Sequence, residues 1–136
     1  MSKTNRRKFI ATAAAAAAGV AVAQAFPKAV LKNKFPIVHH ALFWLKNPNS
    51  KEDLKKLIAG VKSLGKIEAI KELHVGVVAA TEARDVVEQS WAVSEVMLFT
   101  DLEGQATYQN HPIHQEFIKT HSHLWDKVIV YDAVDA

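Results

Sequence analysis

The chain has 136 residues, 49% hydrophobic and 23% charged, with seven histidines, no cysteine and a formal net charge of +3. The lack of cysteine excludes a disulfide framework, a thiol nucleophile, a cysteine-held iron–sulfur cluster and a lipidated cysteine together. Lys3, Arg6, Arg7 and Lys8 supply four of the 17 basic residues and no acid precedes Glu52, so residues 26–136 carry 13 basic against 14 acidic side chains, and no basic cluster remains to displace counterions from a nucleic acid.

At the start, Arg6 and Arg7 sit in Asn5-Arg6-Arg7-Lys8-Phe9-Ile10, ahead of an alanine-rich apolar run from Ala11 to Ala23. The segment resembles a twin-arginine (Tat) export leader. The run is shorter than the roughly 20 apolar residues that span a bilayer core, and alanine makes it weakly hydrophobic. It therefore reads as a cleaved segment over 1–25, with small residues placing cleavage after Ala23 or Ala25 and no membrane attachment afterwards. The expected destination is the periplasm or the exterior of the cell. A basic amphipathic helix is the alternative, but the alanine run has no polar face; an uncleaved signal anchor is another. Residues 26–35, with Lys28, Lys32 and Lys34, read as a solvated tether.

The folded part, 36–136, opens at Pro36 and has the size of a single domain. Ile37 to Leu45 is rich in β-branched and aromatic residues and reads as a strand, ended by Asn47-Pro48-Asn49. Ser50 with Asp53 three residues on suggests a capping box, and Leu54, Leu57, Ile58, Val61 and Leu64 fall on one helical face before a stop at Gly65. A second strand is expected from Glu72 to Val78 and a third from Trp91 to Phe99. Asp101 can cap a short helix through Tyr108, Pro112 opens another reaching about Leu124, and Lys127 to Val134 is the last strand. This βαββαβ order predicts an α+β, ferredoxin-like fold: a four-stranded antiparallel sheet with the helices on one face. Along the first strand Val38, His40, Leu42 and Trp44 alternate with Ile37, His39, Ala41, Phe43 and Leu45, so both faces are apolar. Helices cover only one. The other requires a partner, and a homodimer packed sheet against sheet as a dimeric α/β barrel is expected.

Four stretches carry a family resemblance: Ile37 to Lys46, Leu73-His74-Val75-Gly76, Tyr108-Gln109-Asn110-His111-Pro112-Ile113-His114, and Leu124 to Asp132. Together they resemble the stress-responsive A/B barrel (Dabb) family from Pro36 to about Val134, the Tyr-x-x-His-Pro-x-His run being the most specific part. The resemblance implies a dimeric α+β barrel and leaves activity open. A plant cyclase similar to this family has its catalytic tyrosine and histidine at the positions of Tyr108 and His114, and a first-strand histidine matched to His40. Where that enzyme has a further pocket histidine, this chain has Val93.

Histidine titrates near neutral pH and is suited to proton transfer. Of the seven, His111 reads as a helix cap or hinge, His123 as exposed, and His74 as facing away from Leu73 and Val75. Tyr108 and His114, with His40, are the candidate catalytic residues. His114 would remove a proton beside a carbonyl while Tyr108 stabilises the oxyanion; a buried helix-to-sheet hydrogen bond is the structural alternative. His111, His114 and His121 match no closed metal motif, and neither metal nor cofactor is expected. Two function classes follow. The first is an exported protein that binds a small apolar or carbonyl-containing molecule between sheet and helices, in a pocket of Leu42 or Phe43, Trp44, Val93 and Trp125 beside Tyr108 and His114. The second is a cofactor-independent lyase, cyclase or isomerase using the histidine–tyrosine pair. Binding is preferred, since no nucleophile, cofactor loop or paired carboxylate accompanies the histidine.

Overall fold

The computed structural model describes residues 34–136; the segment expected to be an export leader, 1–25, and residues 26–33 of the expected tether lie outside the described residues. Strand β1 (Ile37–Leu45) alternates without exception between buried and half-buried positions. Its buried set is Ile37, His39, Ala41, Phe43 and Leu45, the side facing the helices. Val38, His40, Leu42 and Trp44 point the other way and are covered only in part.

Helix α1 (Lys51–Ser63) starts at Ser50, whose Oγ accepts the Asp53 N–H at 3.1 Å. Glu52 and Asp53 in its first turn and Lys62 in its last suit the helix dipole. Leu57 and Val61 are fully buried, and Leu54 and Ile58 pack beside them. Two expectations are corrected. The reciprocal half of the capping box is not made: the Ser50 N–H donates to the Asn47 carbonyl at 3.0 Å, and Asp53 accepts from the Asn47 amide instead. Nor does the helix run to a stop at Gly65: α1 ends at Ser63 and tightens into a 3₁₀ turn, Leu64–Lys66, that contains the glycine.

Strand β2 (Glu72–Gly76) ends two residues before the expected Val78, and β3 (Val93–Phe99) begins two after Trp91. The tryptophan instead turns its indole N–H onto the Glu88 carbonyl at 2.9 Å, outside the ladder. Helix α2 (Leu102–Gln109) is capped by Asp101, which accepts from the Gly104 N–H at 2.8 Å. Helix α3 (Pro112–His121) passes through a 3₁₀ turn, Ser122–Leu124, into β4 (Trp125–Val134), which starts two residues earlier than expected.

The sheet order is β2-β3-β1-β4, every pair antiparallel, as the βαββαβ reading requires. Leu57, Val61, Leu64, Val93, Met97 and Phe99 are fully buried at the centre of the core, each stabilising the fold by about 1.5–3 kcal/mol. Strand β4 is different. It is an edge strand, and Val130 at 45% and Tyr131 at 60% exposure open its two faces alternately to solvent. Among the described residues no helix is long and apolar enough to cross a membrane.

Candidate functional site

The Tyr-x-x-His-Pro-x-His run is first a device for breaking a helix. Tyr108 ends the buried face of α2, the His111 ring caps α3 by accepting the Ile113 N–H at 3.1 Å, and Pro112 occupies the first helical turn. His114 follows one turn in, and its Nδ1 lies 3.0 Å from the Gln109 carbonyl. A carbonyl oxygen only accepts, so Nδ1 carries the hydrogen and the lone pair of neutral His114 is on Nε2. Burial lowers the His114 pKa, the bond to Gln109 opposing, and so favours the neutral ring.

The break brings the two candidate side chains together, with ring centroids of Tyr108 and His114 4.6 Å apart. Tyr108 is 2% exposed and His114 8%. The Tyr108 ring also meets His39 at 5.5 Å and Phe99 at 5.6 Å, and its hydroxyl donates to Glu95 Oε1 at 3.4 Å. Burial, and then the Glu95 charge, raise the Tyr108 pKa strongly, so the hydroxyl keeps its proton. Glu95 is 1% exposed, and burial pushes its carboxyl up to about 7 against the opposing Tyr108 hydrogen bond. His39 completes the cluster: its Nε2 lies 3.7 Å from Glu95 Oε1 and its Nδ1 2.6 Å from Asp132 Oδ1.

His40 is not part of this group. It lies on the opposite face of the sheet, with Nε2 2.9 Å from Ser94 Oγ, and its pKa is lowered by burial and then by His39 and His74. The histidine of β1 that reaches Tyr108 is its neighbour, His39. The expected ligand residues divide in the same way. Phe43 and Val93 are buried on the helix side, where Phe43, Phe117 and Trp125 form an aromatic wall with centroids 5.0–6.4 Å apart. Leu42 and Trp44 face away, Trp44 donating its indole N–H to Ser90 beneath the Lys127 ammonium. His111, His114 and His121 have separate partners, and no group of three or more possible metal ligands occurs among the described residues.

Glu95, His39 and Asp132 escaped the sequence reading. The signal for Glu95 was present: it stands two residues from Val93 and from Met97, so the alternation of the strand turns an acid into the core. Only the register, which sets His39 opposite Asp132, reveals the third member.

Residues 37–135 match the family model described as Stress Responsive A/B Barrel Domain. No curated protein matches the chain. Among solved structures, a protein from Arabidopsis thaliana is 28% identical, with a TM-score of 0.62, covering 74% of this chain and 96% of its own. A dimeric ferredoxin-like protein of unknown function from Thermobifida fusca is 15% identical, with a TM-score of 0.60 and coverage of 80% and 99%. The hydroxynitrile lyase of Passiflora edulis is 18% identical, with a TM-score of 0.60 and coverage of 76% and 96%. The last two likenesses concern the fold.

Proposed function

The chain belongs to the stress-responsive A/B barrel domain family, and from that premise we propose that it acts as an exported homodimer binding a small apolar or carbonyl-containing molecule between sheet and helices, at Tyr108 and His114. One observation carries the reading. The Nε2 lone pair of His114 and the hydroxyl of Tyr108 belong to adjoining rings, 4.6 Å apart, with His39 and Glu95 against the tyrosine and Phe117 beside the histidine. A carbonyl oxygen could take the Tyr108 hydrogen bond in place of Glu95 Oε1 while the carbon skeleton lies against Phe43, Phe117 and Trp125. Export rests on the Arg6-Arg7 segment and its alanine run. Dimerisation rests on the half-buried outer face of the sheet and on the dimeric assembly of the Thermobifida fusca neighbour.

Turnover is the second reading, and Glu95 favours it. A buried carboxyl held near 7 beside the tyrosine supplies the acidic group that the sequence reading did not find. In that case His114 Nε2 removes the proton next to the carbonyl, the freed electron pair moves into the enolate, and Tyr108 donates to its oxygen. The Passiflora edulis neighbour is a hydroxynitrile lyase, so another chain of this fold is an enzyme.

Native mass spectrometry of protein taken from its own cell envelope tests binding. The wild type should retain a small molecule that His114→Ala and Tyr108→Phe, both still folded, release. Deuterium uptake from heavy water by a panel of small ketones and 1,3-diketones, followed by proton NMR, tests turnover; each variant should slow it by about 100-fold or more. If nothing is retained and no probe perturbs the Tyr108 or His114 resonances, the binding proposal is lost.

A further inference from the structure

Neither binding nor proton abstraction by His114 uses Asp132 or His39, yet they link the buried carboxyl to the surface. The Asp132 side chain is 57% exposed and lines a cavity of about 200 Å³ together with Ile37, Leu102, Gln105, Ala133 and Val134. From that cavity inward the groups follow in order: Asp132 Oδ1, His39 Nδ1 at 2.6 Å, then His39 Nε2 with Glu95 Oε1 at 3.7 Å, and the Tyr108 hydroxyl donating to the same Oε1 at 3.4 Å. We propose that Asp132, His39 and Glu95 form a proton relay between solvent and the Tyr108 hydroxyl. This rests on the reading of Tyr108 and His114 as the working pair and names how that pair would be recharged.

Imidazole suits the middle place because it can take a proton on one nitrogen and release another from the opposite one. Inward, a protonated Asp132 gives its proton to Nδ1, Nε2–H gives one to the Glu95 carboxylate, and the Glu95 acid returns one to a deprotonated Tyr108. Each hop moves one proton, so one enters from water for each delivered and the charge of the relay is unchanged, while His39 passes from its Nε2–H to its Nδ1–H tautomer and must be reset before the next delivery. Outward transfer runs in reverse. The 3.7 Å gap must close by about 1 Å to reach hydrogen-bond length, a side-chain adjustment. Burial holds Glu95 near 7, so at neutral pH it both gives and takes a proton. His39 approaches from β1 and Tyr108 from α2, with His114 of α3 behind the tyrosine ring. The cross-strand neighbours of Glu95, Ala41 and Val75, are uncharged. A merely structural carboxyl would need the hydrogen bond from Tyr108 but no exposed acid beyond His39.

The hydroxyl proton of Tyr108 reports the relay without any ligand. Its exchange with water is measured by NMR at neutral pH on protein carrying labelled tyrosine. Asp132→Asn, at an exposed position, should slow exchange by about tenfold or more relative to the wild type, as should Glu95→Gln; Asp132→Glu should restore the rate. Unchanged or faster exchange in Asp132→Asn overturns the relay, whether or not the buried variant folds. No carbonyl probe takes part, so slowed exchange supports the relay even if Tyr108 and His114 prove to bind nothing. Unchanged exchange alongside intact probe binding removes the relay and leaves the binding reading standing.

Discussion

Glu95 shows how burial alone changes what a residue contributes. Its carboxyl rises from 4.5 to about 7 because the core penalises the charged form. Between those values the folded chain binds more protons than the unfolded chain. The stability tied to this group is therefore complete below about pH 4.5 and is lost as the pH rises through 7, a change of about 3 kcal/mol. His40 and His114 act in the opposite sense. Burial lowers both, so the unfolded chain takes up protons that they refuse, and stability falls as the pH drops below 6.5. Glu95→Gln should remove only the alkaline loss: in urea unfolding, its stability relative to the wild type should improve by about 2–3 kcal/mol between about pH 5 and about pH 8. A stability difference that is the same at both pH values would mean that folding does not raise the Glu95 pKa.

At the scale of elements, α1 and α3 meet through a missing side chain. A Cβ on Gly60 would lie 2.5 Å from Cδ2 and Nε2 of His121, whose ring stacks on Phe117 at 5.2 Å. Glycine here serves close approach, since no described residue needs a positive φ. Gly60→Ala should push the imidazole off Phe117 and cost about 1 kcal/mol, despite alanine's better helix propensity. Adding His121→Ala should relieve the clash, so the two changes together destabilise less than their sum, a coupling that thermal melts of the double-mutant cycle would measure. The elements themselves were legible because their signals are local. The apolar spacing from Leu54 to Leu64 gave α1, and Asp101 and Pro112 marked where α2 and α3 begin. The end of β2 and the start of β3 were not legible, because residues beside a strand, such as Val77 and Trp91, look like strand residues until a ladder partner is missing.

For the whole molecule, the outer sheet face is the apolar surface that the helices leave uncovered. Val38, His40, Leu42 and Trp44 are each half-buried there, and on the same face of the edge strand β4 Tyr131, opposite His40, is 60% exposed. A second copy packed sheet against sheet would hide the apolar members of that face. Residues 26–136 are expected to sediment as a dimer at micromolar concentration, and Leu42→Asp or Val96→Asp, both on the outer face by their register, should shift them to a folded monomer. A wild-type monomer, or variants that remain dimeric, would place the interface elsewhere or remove it.

The sequence by itself determined the order of elements and the two apolar faces of the first strand, because each depends on spacing within a short stretch of chain; the pairing of Tyr108 with His114 was what the family resemblance implied. Tertiary structure alone decided which first-strand histidine belongs to the site and where the proton-bearing groups meet. A one-residue change along a strand turns a side chain to the opposite face, so His39 and His40, adjacent and chemically alike, part company only once the helices have chosen a side. Glu95 and Asp132 lie far from Tyr108 and from His39 in the chain, and it is the ladder joining β3, β1 and β4 that makes them neighbours.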